Sequence, residues 1–446
     1  MHSWLYCVSL ALILATQLRA DDWPQYLGPK RDGVWREAGI VEKLPSEPKY
    51  LWRKPVGQGY AGPAVAGGKV FVADFVLAKD ATVPKSGFSK RGGVSGQERI
   101  LCFDEKTGEQ LWKREYDCTY RVDYPAGPRC TPTVDGDCVY TLGTMGDLLC
   151  LDVKNGDILW QKSFVKDYEA DVPQWGFTSH PLVDGDKVIC FTGGTDGRNV
   201  IAFDKKTGKE IWKAVNLSGE VGYATPVIYP VGKDGKRELI FWHPKAVVGL
   251  DPETGKRLWS ELWDIRSALT VPMPRQVDGN KLFITAFYNG SMLLKIDGEK
   301  PEVIWKSKVP SENPNATKDL HSIMPTPFIR DGHIYGVCSY GEFRCLKIDS
   351  GERIWETFEP TTGKSVRWGN AFIVANGDRY FLFNEKGELI VCKLSPEKYE
   401  EISRLKILEP TNGMAGRPVV WTHPAFANKN CYARNDKEIV CVSLAK

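Results

Sequence analysis

The constraint that decides most about this chain is a repeated unit closing on tryptophan. Leu101-Cys-Phe-Asp104-Glu-Lys-Thr107-Gly108-Glu-Gln-Leu-Trp112 returns as Asp152 to Trp160, Asp204 to Trp212, Asp251 to Trp259 and Asp349 to Trp355, with a degenerate copy from Asp297 to Trp305. The tryptophans of this class, Trp52, Trp112, Trp160, Trp212, Trp259, Trp305 and Trp355, are spaced by 46 to 60 residues. A period of that length belongs to propellers and solenoids.

Each unit reads as four short strands. Thr131–Val134, Cys138–Leu142, Asp147–Asp152 and Ile158–Trp160 are apolar runs separated by turns built on Asp135-Gly136, Gly143 to Gly146 and Asn155-Gly156. Such runs are too short for globular helices, and Asp-Gly or Asn-Gly supplies the positive φ that tight hairpins require. Four antiparallel strands make a blade with open edges and bare faces, so neighbouring blades must stack and the array must close. Each tryptophan offers a flat surface for the next blade. Inner strands are expected to begin near Pro63, Pro132, Pro181, Pro226, Pro274, Pro327, Asn370 and Pro424, which makes eight blades. The last stops short of a tryptophan strand, and Tyr50-Leu-Trp52 stands unclaimed at the other end. The fold class is therefore all-β, an eight-bladed propeller of four-stranded antiparallel blades over 50–446, its ring closed by the N-terminal strand.

Two segments precede the ring. Residues 1–20 have an uncharged apolar core from Trp4 to Thr16 and a small residue, Ala20, before Asp21, the pattern of a signal peptide. The expectation is an exported protein of the periplasm or envelope, free or peripherally attached. Residues 21–49 are rich in aromatics and turn formers, unlike a disordered leader, and predict a strap against the propeller. A formal net charge of +3 over 446 residues carries no basic block, so no nucleic-acid partner is expected. The protein is expected to be a monomer.

Twelve cysteines in an exported chain raise the question of disulfides. Cys102, Cys150, Cys345, Cys392 and Cys441 fall at the same place in strand three of five blades and read as buried free thiols. Cys118 and Cys130 flank one long connection and are the disulfide candidates.

The connections between strands two and three, and between successive blades, emerge on one face. They include the long segments 113–130, 161–179, 260–271, 306–325, 356–369 and 404–421 and an insertion from Asp74 to Glu98. That face is the expected binding face. Tyr60, Arg129, Trp175, Phe177, His180, Tyr223, Arg266, His321, Arg367, Trp368 and Arg417 stand near the starts of inner strands and are the candidates for an axial funnel. Aromatic walls with a few cations would suit a sugar, a small anion or a peptide segment, and equally a hydrated channel mouth. His180, His243, His321 and His423 come from different blades, so no metal site is expected among them. The chain has no Walker loop, His-Glu-x-x-His or Gly-x-Ser-x-Gly.

The pattern Leu-Cys-x-Asp-x-x-Thr-Gly-x-x-x-Trp resembles the quinoprotein (PQQ-like) repeat, shared by eight-bladed quinoprotein dehydrogenases and by BamB-like components of outer-membrane barrel assembly. Asp22-Trp-Pro-Gln-Tyr-Leu-Gly-Pro to Val34 is similar to the leader of exported members. The dehydrogenase branch implies PQQ between a tryptophan and a ring of two adjacent cysteines, with a calcium or lanthanide ion. This chain has no Cys-Cys pair, so no cofactor is expected. The resemblance implies a non-catalytic scaffold with a BamB-like role, its partners envelope proteins or peptide segments on the long-loop face. The alternatives are a PQQ-dependent dehydrogenase and a carbohydrate-binding or carbohydrate-acting propeller.

Overall fold

The computed structural model describes residues 22–446 except 83, 85, 86, 89–92, 232–234 and 414; the expected leader, 1–20, lies outside the described residues. The chain forms eight four-stranded antiparallel sheets in a ring. Inner strands begin at Ala64, Thr133, Leu182, Val227, Arg275, Phe328, Ala371 and Ala425, one residue after each position the sequence marks. The eighth sheet takes Ala425–Ala427, Asn430–Arg434 and Glu438–Ser443 from the C-terminus and Tyr50–Pro55 from the N-terminal side, in register Trp52↔Cys441 and Arg53↔Val440. Among the described residues no helix is long and apolar enough to cross a membrane.

The repeat motif is an inter-blade lock. Within the turn, the Asp104 carboxylate accepts from the backbone N–H of Lys106 and Thr107 and from the Thr107 hydroxyl, at 3.0, 2.8 and 3.0 Å, which holds its pKa down. Gly108 completes the turn at φ +66 and presents bare backbone to the Trp52 indole of the preceding blade, 2.7 Å from where a Cβ would stand. The Trp52 N–H donates to the Glu105 carbonyl of that turn at 2.8 Å. Trp112, Trp160, Trp212 and Trp305 repeat the arrangement with the carbonyls of Val153, Lys205, Pro252 and Ile348 and with Gly156, Gly208, Gly255 and Gly351. Trp355 keeps the bond, to Ser395, without a glycine. Trp259 departs from the pattern, because the next turn is the degenerate copy: its N–H goes to Glu238 of its own blade at 2.5 Å.

Opposite each of four of these indoles a cysteine stands in strand three, Cys102↔Trp112, Cys150↔Trp160, Cys345↔Trp355 and Cys441↔Trp52. A small side chain there leaves room for the ring. These four and Cys392 are buried free thiols.

The disulfide expected between Cys118 and Cys130 is not formed; both are free. The expected loop from 113 is strand as far as Tyr120, so Cys118 is fixed in the outer strand opposite Gly96. Cys130 is buried, its thiol 3.8 Å from the Phe177 carbonyl. The insertion is likewise partly strand, since Lys69–Leu77 and Val94–Asp104 extend into it as a long hairpin.

Residues 22–49 lie across the short-turn face and touch all eight blades. Trp23 pairs with Val65 of blade one, the Pro24 carbonyl accepts from Val134 of blade two, and Trp35 and Gly33 bracket Ala375 of blade seven. Val41 bonds Leu444 of blade eight. Arg275 of blade five donates to the Arg31 and Asp32 carbonyls at 3.3 and 3.0 Å. Trp23 and Trp35, 2% and 1% exposed, are core residues packed against Phe426.

Candidate functional site

From the middle of the strap two side chains reach up the bore. Arg31, 3% exposed, donates to the Pro226 carbonyl at 3.1 Å and to those of Pro181 and His180. Burial lowers its pKa to about 9, still far above neutrality, so it remains a cation neutralised by carbonyl dipoles. Tyr26 stacks on His180 and meets His423 edge-on. Tyr26 forms part of the wall of a cavity of about 250 Å³ at the axial mouth on the long-loop face.

The wall is assembled from the connections between blades. Tyr60 and Gly62 lead into blade one, Arg129 and Thr131 into blade two, Trp175, Thr178 and His180 into blade three, and Tyr223 and Thr225 into blade four. Leu269 and Val271, Ile323 and Met324, Arg367 and Trp368, and Trp421 and His423 continue the circuit into blades five to eight. Every inner strand follows such a connection, so the ring directs eight segments to one axis. Ring contacts fix the aromatics: Trp175 meets Tyr223 edge-on at 5.6 Å, and Tyr124 meets Trp368 at 6.2 Å.

Seven sequence candidates, Tyr60, Arg129, Trp175, His180, Tyr223, Arg367 and Trp368, line the cavity together. Four do not. Phe177 is buried in the core of blades two and three, edge-on to Phe164 of a short helix, Phe164–Tyr168, that the sequence did not announce. The other three stand behind the wall and hold it. The Arg266 guanidinium lies over the Tyr288 ring at 4.5 Å. His321 is buried between Asp319, at 2.8 Å, and the Phe287 carbonyl, at 3.1 Å. Arg417 pairs with Glu385, which also accepts from the Trp421 indole. The Phe, Tyr and Trp residues of the wall that sequence reasoning missed are Tyr26 from the strap, Phe88 and Tyr124 beside blade one, Phe372 of blade seven, Trp421 ahead of blade eight, and Phe287 and Tyr288 in a strand-two to strand-three turn. The aromatic pair immediately before Asn289-Gly290 was the available signal for the last two.

Both histidines are neutral. His180 accepts at Nδ1 from the Thr131 N–H, 2.9 Å away, which places its proton on Nε2. Burial, reinforced by Arg31 and His423, holds its pKa well below the usual histidine value. His423 Nδ1 lies 2.6 Å from the Pro424 carbonyl and must donate to it, and burial lowers its pKa to about 4.

Among the described residues no Asp, Glu, Asn, Gln or Cys lines the cavity. A calcium or lanthanide ion needs several oxygen ligands, carboxylates above all, and the wall offers only hydroxyls and backbone. Among the described residues no three His, Cys, Asp or Glu side chains come together as a metal site. The described residues therefore do not fit PQQ with its ion.

The family model described as outer membrane protein assembly factor BamB matches residues 96–262 and 244–446. No curated protein matches the chain. Among solved structures, BamB from Moraxella catarrhalis is 16% identical, with a TM-score of 0.53 over 88% of this chain and 97% of that one. Quinohemoprotein alcohol dehydrogenase from Comamonas testosteroni is 12% identical, with a TM-score of 0.62 over 95% and 80%. A europium-containing methanol dehydrogenase is 13% identical, with a TM-score of 0.60 over 92% and 89%. At these identities the structures share the fold and nothing more is carried over from them. The family match spans both halves of the ring, and the chain belongs to the family of the outer membrane protein assembly factor BamB.

Proposed function

We propose that the protein is an exported, non-catalytic binding propeller with a BamB-like role in envelope protein handling, engaging its partners on the long-loop face. One observation carries this reading: among the described residues the axial mouth presents stacking surfaces and hydrogen-bond donors, with no carboxylate in its wall and no three side chains grouped as a metal site. The buried Arg31 and the two neutral histidines serve packing and orientation, so the cavity favours binding over bond-making.

The experiment is site-specific photo-crosslinking in native envelopes. A photoreactive residue replaces the exposed Lys364 on the long-loop face or the exposed Asp137 on the short-turn face. Adducts with outer-membrane or barrel-assembly proteins from position 364 and none from position 137 support the reading. Equal labelling from both faces, or none from either, would sink it. Reduction of an artificial dye with an alcohol or sugar by the purified protein would instead revive the dehydrogenase alternative.

A further inference from the structure

Among the described residues the cavity wall is electrostatically one-sided: it contains two arginines, Arg129 and Arg367, and no carboxylate. The two are not equivalent. Arg367 is already paired with Glu312 at 2.6 Å. Arg129 has no carboxylate partner among the described residues; its Nη1 donates to the Gly127 carbonyl at 2.7 Å and its Nη2 to those of Asp123 and Tyr124 at 2.9 and 2.7 Å. The buried acid of that neighbourhood, Glu98, is occupied by the Tyr116 and Tyr120 hydroxyls and the Thr144 N–H. Arg129 is half-buried, and a cation balanced only by dipoles is stabilised by an anion that reaches it.

The surroundings of Arg129 select the rest of the ligand. Its guanidinium lies 5.1 Å from the Tyr60 ring centre, and the edge-on pair of Trp175 and Tyr223 stands in the same wall. Flat walls favour a flat apolar body. At about 250 Å³ the enclosed space lies just below the roughly 300–1,000 Å³ of drug-sized sites, a size that suits a body of one or two rings.

We infer that the axial cavity is a metal-independent site for a small aromatic carboxylate of one or two fused rings, its carboxylate meeting Arg129 and its ring lying against the Trp175 and Tyr223 wall. This deepens the proposed function and rests on it, since it names what the mouth of a binding propeller accepts.

The test uses the purified full chain, titrated with 2-naphthoate and with its neutral isostere 2-naphthamide, with and without EDTA, by calorimetry. The expected result is saturable naphthoate binding, unchanged by EDTA, with naphthamide at least about tenfold weaker. That is the ratio expected when a charge-assisted hydrogen bond is lost. Arg129→Gln lowers naphthoate affinity to the naphthamide level, and Trp175→Ala weakens both ligands. Equal binding of the two ligands, loss of binding in EDTA, or no saturable heat from either overturns the inference. If Arg129→Gln does not fold, the isostere ratio on the unaltered protein decides alone. Naphthoate binding without envelope crosslinks removes only the scaffold role; crosslinks without naphthoate binding remove only the aromatic-carboxylate site.

Discussion

Tyr26, from the segment ahead of the ring, stacks on His180, from the connection between blades two and three, with ring centres 4.2 Å apart and planes 13° from parallel. The contact joins the two faces of the propeller through its bore, because Tyr26 arrives from the short-turn side and His180 looks into the long-loop mouth. It also buries His180 within reach of the Arg31 charge, so protonating that ring would place a second cation beside the first.

Stability should therefore fall on acidification. His180 and His423 have folded pKa values depressed below the usual 6.5, so the unfolded chain takes up protons that the native state refuses. Their contribution is intact above about pH 6.5 and is lost as pH drops from there toward about 4. Replacing His423 by Phe removes one titrating group and keeps an aromatic against Phe372. Unfolding free energies from urea titrations at pH 7 and pH 4.5 should differ less for His423→Phe than for the unaltered protein, by on the order of 1–3 kcal/mol. An identical pH slope would show that His423 does not titrate in this range.

The glycines of the repeat turns divide into two kinds. A Cβ on Gly255 would lie 2.6 Å from the Trp212 ring at φ +72, whereas Gly298, at φ +101 in the degenerate copy, has nothing within 4 Å. Gly255→Ala should cost about 2–4 kcal/mol, from strained backbone and an overpacked interface together. Trp212→Phe loses the bond to the Pro252 carbonyl and part of the ring that packs on Gly255, and the lost bond alone should cost about 1 kcal/mol. Gly298→Asn should stay within about 1 kcal/mol of the parent. Chemical denaturation of the three variants checks the order, and an equal loss at 255 and 298 would show that the turn conformation alone matters.

These locks explain why the fold was so readable. Asp104, Gly108 and Trp112 are tied to fixed offsets because a turn in one blade must meet an indole from the blade before it, and every copy writes the same geometry into the sequence. The cavity has no such repetition. Tyr60, Arg129 and Trp368 could be found because they immediately precede inner strands, a position that topology alone sends to the axis. Tyr26 could not, because nothing in an irregular segment says which side chain turns into the bore. Arg266, His321 and Arg417 sat at the right places along the chain, but each reaches the mouth only through an aromatic it supports. Cys118 was misread because the outer strand of blade one runs through Tyr120 where the other blades turn away.

Both Cys118 and Cys130 should react as free thiols. Burial raises both pKa values, so neither is a reactive thiolate at neutral pH. Alkylation in denaturant without reductant, followed by peptide mass mapping, should modify both residues fully. In native buffer Cys130, 1% exposed, should remain unmodified. A peptide pair linked through these two sulfurs would overturn the assignment.

The ring closes on one hairpin edge, and that edge is the place to break it. Tyr50–Pro55 pairs with Glu438–Ser443, Arg53 forms an ion pair with Glu438 at 2.6 Å, and Trp52 docks on the turn of blade one. Removing residues 50–56 would leave blade eight with an open edge and blade one without its indole. The strap would remain attached at both sides of the gap, through Trp23 to Val65 and Val41 to Leu444, but it supplies no strand to either sheet edge. Because each blade is stabilised mainly by its neighbours, the lost interface should propagate around an opened ring. The deletion should replace a single cooperative thermal transition by a broad, low-temperature one in calorimetry, with new protease cuts between Asn430 and Ser443. A sharp transition at the parental temperature would mean that the strap and the remaining seven interfaces hold the ring without a closing strand.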